Sequence, residues 1–111
     1  MCTVVLMFGT HPDHPLIVAA NRDELLSRPW SPPSLLAPGV LAPRDDVAGG
    51  TWTGATAAGF FAALTNVHTP PRAPRSRGAV VDDVLRAGEL EAATRLLAAL
   101  PSESIGPFNR L

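Results

Sequence analysis

Runs of apolar residues separated by turn residues predict short strands in the first part of the chain. Residues 2–8 and 16–20 are two such runs, and the Gly, Pro and Asp residues within 9–15 separate them at a turn. The two runs predict an antiparallel hairpin, and their continuous apolar character favours a sheet that is covered on both faces. The second run ends abruptly at the charged stretch 21–24, which indicates a buried strand that delivers charge to a site.

A second hairpin is predicted further along the chain. Residues 30–48 are rich in proline and are expected to be connective, with a short extended piece at 40–42. A segment of Gly and Thr residues then leads into strands at 55–57 and 60–66. Residues 67–78 are expected to form a loop that carries three arginines.

The last third of the chain has helical periodicity. Apolar residues recur at helical spacing over 79–87 and again over 89–100, so two helices are predicted. Gly88 separates the two helices and Pro101 ends the second. Residues 102–111 resemble the approach to another strand. Together these elements predict an α+β fold built on an antiparallel sheet.

Composition excludes several classes of function. The 111 residues form at most one domain, and nine basic residues, all Arg, balance ten acidic ones to a net charge of −1. This balance argues against nucleic-acid partners and against electrostatic attachment to a membrane. A single Cys excludes an intrachain disulfide, and no run reaches the roughly 18 apolar residues of a membrane span, so we expect a cytoplasmic protein.

Cys2 is the first candidate for chemistry. Removal of Met1 would leave its thiol and the α-amine on one residue, and the α-amine, with a reference pKa near 8, can act as base for the thiol. This is the arrangement of an N-terminal nucleophile. The alternative is a small buried Cys with no chemical role.

The predicted hairpin brings Asn21, Arg22 and Asp23 beside Cys2. A guanidinium close to a thiol favours the reactive thiolate, and the carboxylate of Asp23 is suited to hold the α-ammonium. The alternative is a surface Arg–Asp pair that closes a turn and adds little stability.

Several segments together resemble one known family. They are Met1-Cys2-Thr3, Ala19-Ala20-Asn21-Arg22-Asp23-Glu24 with Ser27-Arg28-Pro29, Gly49-Gly50-Thr51-Trp52-Thr53-Gly54, Ala63-Leu64-Thr65-Asn66 and Arg75-Ser76-Arg77-Gly78. In this order they resemble the NRDE family, that of the transport and Golgi organisation protein 2 homologues. The family is similar to N-terminal nucleophile (Ntn) hydrolases, which implies an αββα sandwich.

The resemblance also implies roles for residues. Cys2 resembles the nucleophile, Arg22 and Asp23 the pair beside it, and Asn66 the donor to the oxyanion. Asn21, Trp52 and Arg77 are the candidates for substrate binding. No metal and no cofactor is implied. Members of the family are longer, so we expect residues 1–111 to be the N-terminal portion of a single NRDE-type domain, a partial sandwich with one antiparallel sheet and one helix layer.

Other candidate residues have simpler interpretations. His11, Asp13 and His14 have a spacing that resembles a metal site, but a solvated hairpin turn explains them better. His68 is more typical of a loop than of a pocket, and Trp52 is more typical of a core. The loop residues Arg72, Arg75 and Arg77 have the charge to bind an anionic group, but solvated arginines are commoner.

Two functions remain open. The first is an Ntn-type hydrolase that cleaves a linear amide C–N bond of a small molecule, with Cys2 as nucleophile. The second is a non-enzymatic NRDE-family protein that handles a lipid-like or haem-like ligand in trafficking, or an inactive fragment.

Overall fold

The computed structural model describes residues 2–66, 75–101, 105 and 108–110, which form seven strands and two helices. The strands are β1 (Thr3–His11), β2 (His14–Asn21), β3 (Trp30–Ala37), β4 (Val40–Asp45), β5 (Thr53–Thr56), β6 (Phe61–Asn66) and β7 (Phe108–Arg110). The helices are α1 (Arg77–Ala87) and α2 (Leu90–Ala98). Neither helix is long and apolar enough to cross a membrane.

Strands β1 and β2 form the predicted N-terminal hairpin. Their antiparallel register runs from Thr3 opposite Asn21 to Phe8 opposite Leu16. The prediction that both faces are covered is wrong, because the hairpin forms a two-stranded sheet of its own. Val5 is 47% exposed and Phe8 70% exposed, so much of the apolar surface of β1 faces solvent.

Strands β3 to β7 form a second sheet in which each strand pairs antiparallel with the next in the chain. The hairpin predicted around residues 55–66 is confirmed as β5 and β6, and the final segment contributes β7. The prediction that 30–48 is mainly connective is wrong, because this segment forms β3 and β4. The short extended piece predicted at 40–42 is confirmed and lies within β4. The prolines favour a loop over a strand, but Pro32 and Pro33 lie on β3, the strand at the edge of this sheet. The pairing register shifts between Ser31 and Ser34, so the missing N–H groups of the two prolines cost little there.

Helix α1 packs on the five-stranded sheet and completes the core. Its apolar face is buried against β4, β5 and β6. The buried residues of this core cluster are Val40, Ala42, Ala62, Leu64, Val80, Val81, Val84, Leu85, Ala93 and Ile105. Burial of these side chains is the main stabilising contribution that the described residues provide.

Both helices confirm the sequence periodicity, with small differences at their ends. Helix α1 begins two residues before the predicted start, because the side chain of Ser76 accepts a hydrogen bond from the N–H of Gly78 and caps the helix. The loop predicted over 67–78 is therefore wrong for 77–78, while 67–74 lie outside the described residues. The α+β class, with antiparallel sheets and a helix layer, is confirmed.

Candidate functional site

The register of the N-terminal hairpin determines what lies near Cys2. Thr3 pairs with Asn21, and the N–H of Thr3 donates to Asn21 Oδ1 at 2.8 Å. Cys2 directly precedes Thr3 and Arg22 directly follows Asn21, so both residues lie just beyond the last pair of the hairpin. Cys2 is partly buried, and Asp23 is exposed in the next position. The hairpin therefore brings together the end of the chain that carries the thiol and the Asn-Arg-Asp segment.

Arg22, one of the predicted site residues, contacts an acidic side chain and an aromatic ring. Its guanidinium donates from Nη2 to Asp45 Oδ2 at 3.0 Å and lies 4.3 Å from the centre of the Trp52 ring. Glu24 Oε2 is 3.8 Å from the same nitrogen. Because the Arg22 side chain is only 15% exposed, the ion pair and the cation–π contact are partly shielded from water.

Asp45, at the end of β4, accepts hydrogen bonds on both carboxylate oxygens. Arg28 donates from Nε to Oδ2 at 3.0 Å and from Nη2 to Oδ1 at 3.2 Å. The N–H groups of Val47 and Ala48 donate to Oδ1, each at 3.0 Å. We refer to Arg22, Glu24, Arg28 and Asp45 as the Asp45 cluster.

The environment of Asp45 favours its ionised form. Partial burial raises the pKa of the carboxyl group, but the hydrogen bonds from Ala48, Arg28 and Val47 and the charge of Arg28 outweigh burial. The net effect is a pKa of Asp45 below its usual value. Asp45 therefore stays negatively charged opposite two arginines throughout the neutral range.

The Trp52 ring, which faces Arg22, has a second aromatic ring as its neighbour. Trp30 meets Trp52 edge to face, with ring centres 6.1 Å apart, and Trp52 also packs against the core. The prediction that Trp52 is a core aromatic is thus partly confirmed, because the residue packs against the core while Arg22 lies over its ring. Just before Trp52, the N–H of Thr51 donates to the carbonyl of Gly78 at 3.1 Å, which ties this segment to the start of α1.

The remaining predicted site residues lie on other elements. Asn66 is exposed at the end of β6, where its backbone is in register with Phe108. Arg77 is the first residue of α1 and is partly buried. Arg75 pairs with Asp83 of α1, and both side chains stay 38% exposed. Arg72 and His68 lie outside the described residues.

The turn between β1 and β2 has the geometry of a solvated hairpin turn. The rings of His11 and His14 stack with centres 4.9 Å apart, and His11 Nδ1 accepts from the N–H of Asp13 at 3.2 Å. All three residues are exposed. Within residues 2–66, 75–101, 105 and 108–110, no three His, Cys, Asp or Glu side chains are grouped so that they could hold a metal ion.

Sequence reasoning missed Asp45 and the partnership of Arg28. The sequence interpretation takes 30–48 as connective, and a loop offers no strand register from which the neighbours of a carboxylate can be predicted. One signal is present in the sequence, because Arg44 and Asp45 follow the apolar run 40–43 and precede the paired glycines Gly49 and Gly50. Two arginines at 22 and 28 also require an acidic partner if either is to be partly buried.

Comparison with known proteins places these motifs in one family. A family model described as transport and Golgi organisation 2 matches residues 1–110. The chain belongs to the transport and Golgi organisation 2 family. This assignment confirms the resemblance drawn from the NRDE motifs.

Curated members of the family are similar over most of the chain. Identity to the transport and Golgi organization 2 homolog of Mus musculus is 38% over 88 residues, which cover 70% of this chain and 32% of that relative. Identity to the Homo sapiens homolog is 36% over the same length and coverage. The chain thus matches about a third of the length of these relatives. No solved structure matches it, so the similarity to Ntn hydrolases stays a prediction.

Proposed function

We propose that this member of the family is a cysteine hydrolase that cleaves a linear amide C–N bond, with Cys2 as its N-terminal nucleophile after Met1 is removed. The observation that supports the proposal is the hairpin register, in which Thr3 lies opposite Asn21. This register places the thiol-bearing residue and the charged Asn-Arg-Asp segment at the same end of one hairpin. The register supports the proposal because a charged segment at the same end of the hairpin can tune a thiol and an amine.

The proposed reaction proceeds through a thioester. The α-amine of Cys2 accepts the thiol proton, and the thiolate forms a bond to the amide carbonyl carbon. The C–N bond then breaks, and the leaving nitrogen takes the proton from the α-ammonium. Water, deprotonated by the same amine, attacks the thioester to release a carboxylic acid and restore the thiol. The proposal assigns Asp23 to hold the α-ammonium and Asn66 to bind the oxyanion.

A second function is favoured by a different observation. Large apolar side chains of β1 are exposed, with Phe8 at 70%, Val5 at 47% and Leu6 at 36%. A protein that handles a lipid-like or haem-like ligand without turnover needs an accessible apolar surface of this kind. We therefore keep non-enzymatic ligand handling as the alternative, in the cytoplasm and without a nucleic-acid partner.

The experiment that tests the hydrolase is mass spectrometry of the intact protein after incubation with an activated amide or β-lactone probe. Cys2 is the single cysteine of the sequence, so a mass increase that is lost in Cys2→Ser identifies the labelled atom. Thr3→Ser serves as a matched control, because it makes a small change at the neighbouring position and leaves the thiol intact. The intact mass also shows whether Met1 has been removed.

The outcomes separate the two functions. Stoichiometric acylation of a Met1-free chain, lost in Cys2→Ser and kept in Thr3→Ser, supports the hydrolase. Absence of acylation in a folded protein would overturn it. Titration with haem and with a fluorescent fatty acid then tests the alternative, which an unchanged Soret band together with unchanged fatty-acid fluorescence would exclude.

A further inference from the structure

Two arginines flank the segment that connects the N-terminal hairpin to the larger sheet. Arg22 directly follows β2, and Arg28 lies shortly before β3; both side chains are partly buried. The residues between them, 23–27, are all exposed, and Leu26 is fully so. We refer to residues 23–27 as the hinge segment. Both arginines donate to the same atom, Asp45 Oδ2, each at 3.0 Å, so one carboxylate holds the two ends of the hinge segment together.

The hairpin itself has little apolar attachment to the larger sheet. Strands β1 and β2 pack chiefly on each other. Among the described residues, the core cluster and the partly buried side chains packed against it include no member of residues 2–21. Burial of apolar surface is the main force that holds the elements of a fold together. The polar contact of Arg22 therefore has a large share in fixing the position of the hairpin.

The two arginines are bound to Asp45 unequally. Arg28 donates to both carboxylate oxygens, and the N–H groups of Val47 and Ala48 donate to Oδ1. Arg22 adds one hydrogen bond from Nη2 and lies over the Trp52 ring. If Arg22 leaves, the carboxylate keeps its other partners and the guanidinium is hydrated, so no buried charge is left unpaired. Arg22 is thus the partner that can be released.

We propose that the contact of Arg22 with Asp45 and Trp52 is a latch, whose release lets the N-terminal hairpin swing as a unit about the hinge segment while Arg28 stays bound. Pairing within the hairpin is kept, because its register involves β1 and β2 alone. Opening uncovers the Trp52 ring and moves the tip of the hairpin furthest. The inference concerns motion and does not depend on any reaction at Cys2.

Limited proteolysis with thermolysin, which cuts before leucine, tests the latch because Leu25 and Leu26 lie in the hinge segment. A protease binds an extended segment, which the closed hinge does not offer. When opening is fast relative to cleavage, the rate of cleavage follows the population of the open form. Arg22→Gln removes the ion pair and the cation–π contact, so cleavage in the hinge segment should become about three- to thirtyfold faster.

Two controls separate hinge opening from other effects. Arg44→Gln removes the same charge from an exposed residue directly before Asp45, and it should leave cleavage of the hinge segment unchanged. Cleavage before Leu85, which is 0% exposed, requires unfolding of the whole chain and should accelerate steeply with urea. Cleavage of the hinge segment should depend only weakly on urea, because opening exposes little surface.

A distance measurement provides a second readout. Spin labels on Phe8→Cys and Leu90→Cys, in a Cys2→Ser chain, lie on exposed positions of the hairpin and of α2. Electron double resonance should give one narrow distance distribution, which broadens in Arg22→Gln and not in Arg44→Gln. If Arg22→Gln does not fold, the labelled chain with Arg22 intact is measured in about 1 M NaCl, where the Debye length is about 3 Å and a weakened latch should broaden the distribution.

Equal hinge cleavage in the Arg22→Gln and Arg44→Gln variants would overturn the inference. A urea dependence of hinge cleavage as steep as that of cleavage before Leu85 would also overturn it, because the segment would then open only by unfolding of the whole chain. For the salt experiment, a distance distribution that stays narrow has the same meaning. None of these measurements uses hydrolase activity, so failure of the proposed function leaves the test of the latch intact.

Discussion

Replacement of Gly50 by Ala should destabilise the protein more than any other single methyl group added to the glycines near the site. Gly50 has φ +75°, and a Cβ there would lie 2.4 Å from the carbonyl carbon of Gly78 and 2.6 Å from the nitrogen of Ala79. These are backbone atoms of the first turn of α1, so they cannot move aside without shifting the helix. The neighbouring hydrogen bond from Thr51 to Gly78 would be disturbed as well.

The magnitude follows from two separate costs. A non-glycine residue in the left-handed region costs roughly 1–2 kcal/mol, and overpacking of a well-packed contact typically costs about 1–3 kcal/mol more. Gly50→Ala should therefore lower the free energy of unfolding by about 2–5 kcal/mol. At roughly 4–8 °C per kcal/mol for a domain of this size, the contact alone should lower Tm by about 4–24 °C.

Gly49→Ala is the matched control, since Gly49 has φ +68° and nothing lies within 4 Å of its added Cβ. It bears the conformational cost without the contact. Thermal and urea unfolding, followed by far-UV circular dichroism, measure both variants against the unchanged protein. If Gly50→Ala and Gly49→Ala were equally stable, the close approach of this glycine segment to α1 would not exist in solution, and the reasoning would be refuted.

Three further predictions concern the core, the start of α1 and Asp45. Leu85 is 0% exposed, so Leu85→Ala should cost about 2–5 kcal/mol in urea unfolding, and a cost below about 1 kcal/mol would contradict its central place in the core. Ser76→Ala removes the N-cap and should cost about 1 kcal/mol, whereas Ser76→Asp should restore most of it. The lowered pKa of Asp45 stabilises the fold above the usual pKa of an aspartate, and this contribution is lost as the pH falls through the lowered value. Unfolding measured from pH 7 down to pH 2 should therefore show a weaker acid dependence for Asp45→Asn than for the unchanged protein.

Local patterns were enough to predict most of the elements. The apolar runs on either side of the first turn specified β1 and β2, and the helical spacing of Val80, Val81, Val84 and Leu85 specified α1. Each of these patterns is a spacing of apolar residues within one short segment, so it can be recognised without knowing the tertiary structure.

The errors occurred where tertiary position decides the outcome. A proline excludes a strand only where its N–H would have to bond to a neighbouring strand. Among the described strands, β3 pairs with β4 alone, so Pro32 and Pro33 are tolerated there. The apolar character of β1 predicted a covered sheet, but composition does not reveal which surface lies over a strand. Asp45 was missed for the same reason, because its partners Arg22 and Arg28 are 23 and 17 residues away along the chain.

The two sheets also differ in how they would meet another protein molecule. Within the described residues, β1 and β2 pair with each other alone, so the outer backbone groups of the ribbon are available to a strand from a second chain. The prolines and shifted register of β3 obstruct such pairing at the edge of the larger sheet. Self-association at high concentration should therefore begin at the N-terminal ribbon, where Val5 and Phe8 add an apolar surface. The substitution Val5→Lys would place a charge on that ribbon and should slow the aggregation of concentrated solutions.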